Sequence, residues 1–328
     1  MEVESDRFER KSYNKKRGVI HMRIRPPRLQ KGDTIGIISP SSPPNLESLQ
    51  RSLSFLEDLG LKVKMGKHVE SKHGYLAGTD DNRLSDLHEM LADPAIKGII
   101  CAGGGYGAGR YADRIDVQLM AEQPKILWGY SDITYLHTTI GQYANVVTFH
   151  GPMLASDVGL DTFQDLSAKM FNQLFEPIEL HYSEAISPLS TLGGGVAQGE
   201  LVGGNLSLLV SALGTKFEID TRGKLLLIED VDEEPYQIDN MLNQLRLAGK
   251  LNEAAGIVVG DFARAEPKKR KETLLLEEVL QHYLGDLSKP VVTGFKIGHC
   301  EPHFAIPLGV EARLDGDSKT LTILPGVE

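Results

Sequence analysis

Pro124-Lys125-Ile126-Leu127-Trp128-Gly129-Tyr130-Ser131-Asp132-Ile133-Thr134 passes from a strand to a helix with no intervening loop. The apolar run up to Tyr130 reads as a strand, and helical spacing takes over from Asp132 to Tyr143. Upstream the same alternation recurs. Thr34 to Ile38 is a strand, ended by Ser39-Pro40-Ser41-Ser42-Pro43-Pro44. Leu46, Leu49, Leu53 and Leu56 follow at helical spacing, with Asn45 placed to cap them. Leu61 to Met65 alternates like a strand, and Arg83 to Leu91 is helical. Ile96 to Cys101 is an apolar strand broken by Gly103-Gly104-Gly105, and Val117 to Ala121 is helical. This order predicts a parallel α/β sheet.

Downstream the pattern changes. Periodicity is poor from Leu174 to Ser190, which reads as a linker. From Gln198 strands and turns dominate, with strands at Lys224 to Glu229 and Ala255 to Phe262. Helices interrupt at Gln237 to Leu247 and Leu274 to Tyr283. The expected organisation is a disordered extension over 1–25, an α/β domain over 26–174, a linker over 175–197, and a β-rich α+β domain over 198–328.

The chain has 328 residues, enough for two domains, and 35 basic against 45 acidic side chains give a net charge of −10. Such a balance repels nucleic acid. Lys268-Lys269-Arg270-Lys271 is a short basic run of the kind usually left in solvent. Cys101 and Cys300 form no disulfide framework, and no His, Cys, Asp or Glu cluster has metal-ligand spacing. Reducing conditions are the simpler assumption. No apolar run is long enough to cross a bilayer, and Met1 to Arg25 lacks the apolar core of a signal peptide.

Ser131 has two readings. A serine on a strand-to-helix turn at the carboxyl edge of a parallel sheet is exposed where α/β folds bind ligands. The free N–H groups of the helix start stabilise an oxyanion there. This is the mechanics of the G-x-S-x-G elbow, although here only Gly129 matches. The other reading is a plain helix cap. A nucleophile needs partners. Gly103-Gly104-Gly105-Tyr106-Gly107-Ala108-Gly109 follows a strand and lies on the same edge, where glycines let backbone amides approach a substrate. It lacks the ending of a P-loop and the spacing of a dinucleotide fingerprint. Leu225-Leu226-Leu227-Ile228-Glu229-Asp230 drives a strand into two carboxylates. His299, after Gly298, and His150, in Phe149-His150-Gly151-Pro152, are equal candidates for the base by local context.

Taken together these segments resemble the LD-carboxypeptidase family, serine peptidases that include muramoyl-tetrapeptide carboxypeptidases and microcin C7 self-immunity proteins. The likeness runs through Pro26-Pro27-Arg28-Leu29, Gly32-Asp33-Thr34-Ile35-Gly36, Gly104-Gly105-Tyr106-Gly107, Gly129-Tyr130-Ser131-Asp132 and His150-Gly151-Pro152-Met153. It continues through Gly203-Gly204-Asn205-Leu206, Glu229-Asp230 with Tyr236, Ile238 and Asp239, and Gly298-His299. The chain departs from many members at Gly103, where they carry Arg, and at Asp239-Asn240, where they have Asp-Arg.

The resemblance implies a flavodoxin-like N-terminal domain, a β-rich C-terminal domain, and an active site in the cleft between them. It implies a Ser131, Glu229, His299 triad. The oxyanion hole would use the amides of Asp132 and of Gly104 or Gly105. Tyr106, His150 and Asn205 become candidate substrate contacts, with His150 as a pocket wall. The implied substrate is a murein tetrapeptide or muropeptide, losing its terminal D-alanine in cytoplasmic cell-wall recycling. The enzyme would be a homodimer that needs no cofactor, metal, nucleic acid or membrane. Two alternatives are a microcin-immunity-type peptidase acting on aminoacyl-nucleotide or acyl-sulfamoyl conjugates, with Tyr182 or Phe163 stacking on the base, and a non-catalytic peptide-binding protein.

Overall fold

Strands buried on both faces are apolar throughout and pair in parallel. A computed structural model describes residues 23–268 and 272–328. Its first sheet contains β1 (Thr34–Ile38), β2 (Lys62–Met65), β3 (Ile96–Cys101), β4 (Ile126–Gly129) and β5 (Thr148–His150). They lie in the order β2-β1-β3-β4-β5, all parallel. The helices between them are α1 (Leu46–Asp58), α2 (Asp80–Ala92), α3 (Val117–Glu122) and α4 (Thr134–Tyr143). Asn45 caps α1 as its sequence position predicts, its side chain accepting from the Ser48 amide at 3.0 Å. This strand order is flavodoxin-like, and it reverses between β1 and β3, where such folds open a crevice at the carboxyl ends. The Pro40–Ser42 turn after β1, the glycine loop after β3 and Ser131 after β4 all lie on that edge.

The second half forms an eight-stranded sheet. After α5 (Asp165–Lys169) come β6 (Leu180–Tyr182), β7 (Ser190–Gly193), β8 (Val196–Asn205), α6 (Leu206–Ser211) and β9 (Leu225–Val231). Then follow α7 (Pro235–Leu247), α8 (Lys250–Glu253), β10 (Gly256–Ala263), α9 (Leu276–Leu284), β11 (Val291–Thr293), β12 (Ile306–Leu308), β13 (Glu311–Asp315) and β14 (Thr320–Ile323). The sheet runs β6-β14-β13-β8-β9-β10-β11-β7. Its centre, β8 to β11, is parallel, and antiparallel strands flank it. The helices α7 and α9 cover the parallel part through Ile238, Leu242, Leu245, Val279 and Leu284.

Three observations depart from the sequence reading. The stretch expected to be a linker contains β6 and β7, which close opposite edges of the second sheet. Strands this short carry no readable period. The strand β12, from the C-terminal half, leaves the second sheet and pairs antiparallel with β5, opposing Ile306 to His150. The fold also begins before residue 26. Arg23 pairs with Glu200 at 2.5 Å, and the Ile24 amide donates to Asn145 at 2.8 Å. The rest of the expected extension, and Lys269, Arg270 and Lys271 of the basic run, lie outside the described residues. Among those described, no helix is long and apolar enough to cross a membrane.

Candidate active site

The buried strand β4 delivers the chain to Ser131, whose φ is +64°. A non-glycine residue held there costs roughly 1–2 kcal/mol and marks a site that its surroundings over-determine. Gly129 makes the turn possible: a Cβ on it would lie 3.0 Å from Ile133 and 3.1 Å from Cys101. No side chain caps either the 3₁₀ turn Ser131–Ile133 or α4 after it. The capping reading of Ser131 is thereby removed.

The glycine loop comes to this turn. A Cβ on Gly104 would stand 3.0 Å from Ser131 Cβ and 3.2 Å from Ser131 Oγ, so glycine lets the loop come close to the serine without crowding it. The Gly104 carbonyl accepts from the Ser42 amide at 3.1 Å, and the Tyr106 amide donates to Ser42 Oγ at 3.1 Å. Among the described residues, the amides of Gly104, Gly105 and Asp132 take no part in the hydrogen bonds that hold these turns.

From the other half, β9 carries Glu229, which is 0% exposed. His299 Nδ1 donates to Glu229 Oε2 at 2.7 Å, which leaves Nε2 as the acceptor nitrogen. Gly298, at φ +118°, lets the carboxylate through, since a Cβ there would lie 2.5 Å from Glu229 Oε2. Burial disfavours charge on both partners, yet each outweighs it for the other. His299 is raised above the ordinary histidine value, and Glu229 is held well below the carboxylate range. The two halves meet at Tyr130, next to Ser131, whose ring centre lies 4.8 Å from that of His299.

Three further histidines pack behind this pair. His137 Nε2 donates to the Gly129 carbonyl at 2.8 Å, and burial pushes its pKa down to about 3. His303 Nε2 accepts from the Gly298 amide at 3.4 Å, and burial drives it well below its usual value. His150 is 0% exposed. Its Nε2 lies 3.7 Å from Glu229 Oε1, and neither atom has a hydrogen-bond partner among the described residues.

Two expected substrate contacts are corrected by these positions. His150 is closed off from solvent beside Glu229 and offers no exposed surface to a substrate. Asn205 is buried and its side chain is spent inside the fold. Its amide donates to Asp230 at 3.0 Å, and its carbonyl oxygen accepts from the Leu208 amide at 3.3 Å. Tyr106 is 53% exposed, with its ring 5.8 Å from that of Tyr75. Trp128 and Tyr182 belong to the core, and half-buried Phe163 packs its ring on Phe55 at the edge of that core.

Sequence reasoning missed Arg83, Ser41, Asp157 and His303, and the side chain of Asp132. Asp157 accepts from Tyr130 Oη at 2.9 Å and from the Met153 amide at 2.7 Å, fixing the residue before Ser131. The one available signal was the carboxylate of Asp132, placed directly after Ser131. Among the described residues, no group of three or more His, Cys, Asp or Glu is arranged to hold a metal.

Comparison with known proteins identifies the family and the fold. Residues 35–151 match the family model of the LD-carboxypeptidase N-terminal domain, and residues 198–314 that of the C-terminal domain. A probable murein peptide carboxypeptidase of Bacillus subtilis is 55% identical over 311 residues, covering 95% of this chain and 98% of its own. A muramoyltetrapeptide carboxypeptidase structure from Oxalobacter formigenes superposes with a TM-score of 0.78 at 27% identity, covering 88% of this chain and 97% of that one. The microcin C7 self-immunity protein MccF, in complex with glutamyl sulfamoyl guanosine, superposes with a TM-score of 0.83 at 26% identity, covering 92% and 98%.

Proposed function

The chain belongs to the LD-carboxypeptidase family, and from that premise we propose that it is a serine carboxypeptidase releasing the terminal D-alanine of murein tetrapeptides. The observation that carries this reading is the pair formed by half-buried His299 and buried Glu229, 2.7 Å apart, from the second half of the chain, with His299 packed on Tyr130 beside the strained Ser131 turn of the first. In this mechanism His299 Nε2 takes the Ser131 hydroxyl proton as Oγ attacks the scissile carbonyl. Glu229 holds Nδ1–H and stabilises the imidazolium that forms. The amides of Asp132 and of Gly104 or Gly105 receive the oxyanion, each worth roughly 3 kcal/mol. His299 then gives its proton to the amine of the departing D-alanine. Water, deprotonated by the same imidazole, releases the acyl group from Ser131.

Gly104 is favoured over Gly105 as the loop donor by its closer approach to Ser131 Oγ. The reading further places the enzyme in the cytoplasm as a homodimer, as expected for the family. The test is Ser131→Ala, checked for folding by circular dichroism. It should abolish D-alanine release from L-Ala-D-Glu-meso-diaminopimelate-D-Ala, and retained activity would remove Ser131 from the role.

A second reading, hydrolysis of aminoacyl-nucleotide or acyl-sulfamoyl conjugates, draws on the likeness to MccF. Tyr182 is buried and not free to stack on a base, and Phe163 is half-buried against Phe55, whereas Tyr75 and Tyr106 form an exposed pair on the glycine-loop side. Turnover of the two substrate types by one preparation separates the readings.

A further inference from the structure

The peptide bond between Gly107 and Ala108 is held from both ends by buried charged side chains. Arg83 Nη1, from α2, donates to the Gly107 carbonyl at 2.7 Å. Asp132 Oδ2 accepts from the Ala108 amide at 2.7 Å. The same two side chains grip the turn after β1: Arg83 Nη1 donates to the Pro40 carbonyl at 3.1 Å, and Ser41 Oγ donates to Asp132 Oδ2 at 2.6 Å. Arg83 is 1% exposed and also pairs with Asp80. Tyr111 Oη adds a second bond to the Pro40 carbonyl at 3.0 Å. Gly107, at φ +132°, makes room for the guanidinium, because a Cβ there would lie 2.5 Å from Arg83 Nη1. The turn so fixed carries Ser42, whose amide and hydroxyl bind Gly104 and Tyr106.

We infer that Asp132 and Arg83 are positioning residues for the oxyanion hole. The residue whose main-chain amide forms one donor uses its carboxylate, together with Arg83, to set the loop that bears the other. The inference rests on the serine-hydrolase reading above. Two donors on separate loops stabilise a transition state only if their spacing is fixed before the reaction, and a free glycine loop would not fix it. Burying two charged side chains is costly in itself and is compensated only when their hydrogen bonds are made. Here those bonds fall on the one loop that must not move. The acyl acceptor, the oxyanion donors and the elbow are thereby joined in one network beneath Ser131.

The experiment compares wild type with Asp132→Ala, Asp132→Asn and Ser41→Ala. It reads kcat and KM for D-alanine release, the rate of Ser131 labelling by a fluorophosphonate, and the thermal midpoint. Displacing one donor should lower kcat of Asp132→Ala about tenfold to a hundredfold with KM within about threefold, and slow labelling in proportion. Asp132→Asn can still accept from Ala108 and should recover most of that loss. A folded Asp132→Ala with kcat within about threefold of wild type overturns the inference, as does a loss that Asn fails to relieve. If Asp132→Ala does not fold, Ser41→Ala decides: kcat lower by about threefold or more at unchanged KM supports the clamp, and unchanged kcat overturns it. A wild type that labels at Ser131 without releasing D-alanine removes the substrate reading alone, and the labelling rates still decide the clamp. A wild type that does neither overturns both.

Discussion

His299 must be neutral to take a proton, and its surroundings favour the charged ring. Burial presses its pKa down, but the carboxylate of Glu229, 2.7 Å away, more than offsets this and raises it. The sign follows: below its shifted pKa the imidazole is protonated and cannot act as base, and above it the base is available. The acid limb of kcat/KM should therefore have its midpoint above the ordinary histidine value of about 6.5. A midpoint at or below that value would mean that Glu229 does not govern the base. At this scale local context alone does not separate His299 from His150, since each adjoins a glycine, and only the family resemblance chose His299. The difference is geometric. One ring bonds Glu229 and stays partly exposed, while the other is wholly buried beside the same carboxylate. Asn205 entered through the resemblance alone, and its side chain is consumed by Asp230 and the start of α6.

Strand ends and the turns after them do most of the positioning, and glycines set how closely those turns approach. Gly298 offers the cleanest test. Alanine there would meet Glu229 Oε2 at 2.5 Å in a backbone region that L-residues avoid, so the carboxylate would have to leave His299 Nδ1. Gly298→Ala should lower kcat by at least about a hundredfold, because the imidazole loses its orienting acid. Gly214, at φ +75° with nothing within 4 Å of where a Cβ would stand, isolates the backbone effect. Gly214→Ala should cost roughly 1–2 kcal/mol in a denaturation midpoint and leave kcat unchanged. Equal losses of activity in the two variants would refute the steric account. The elements carrying these turns were legible where the pattern was long, as in β4 running into α4 or Leu225 to Glu229 aimed at the cleft. They were not legible at β6, β7 and β12, because three or four residues hold no period. Arg83 was hidden for a different reason: on a helix it reads as one more polar position, and its burial depends on two loops distant in sequence.

The molecule divides by sheet more sharply than it divides by packing. Leu29, Trp128, Phe149 and Phe171 from the first half share one buried cluster with Leu201, Leu225, Phe295 and Leu321 from the second. The strand β12 completes the edge of the first sheet from the far end of the sequence, and the Glu328 amide donates to Pro26 at 3.2 Å. Neither half keeps its apolar surface covered, or its edge paired, without the other. The domain interface is therefore a continuation of the core, unlike the small polar contacts of domains that move freely. Unfolding should then be one cooperative transition despite the two sheets, with the van't Hoff enthalpy close to the calorimetric enthalpy. Halves that melted independently would instead give a van't Hoff value of about half the calorimetric one, or two resolved peaks. The consequence reaches the chemistry. If the halves come apart only when the whole chain unfolds, heat should abolish D-alanine release and the tryptophan fluorescence of buried Trp128 at the same midpoint. Activity lost well below the fluorescence transition would show that Glu229 and His299 separate from Ser131 while both sheets stay folded, and the shared core would not be what holds the site together.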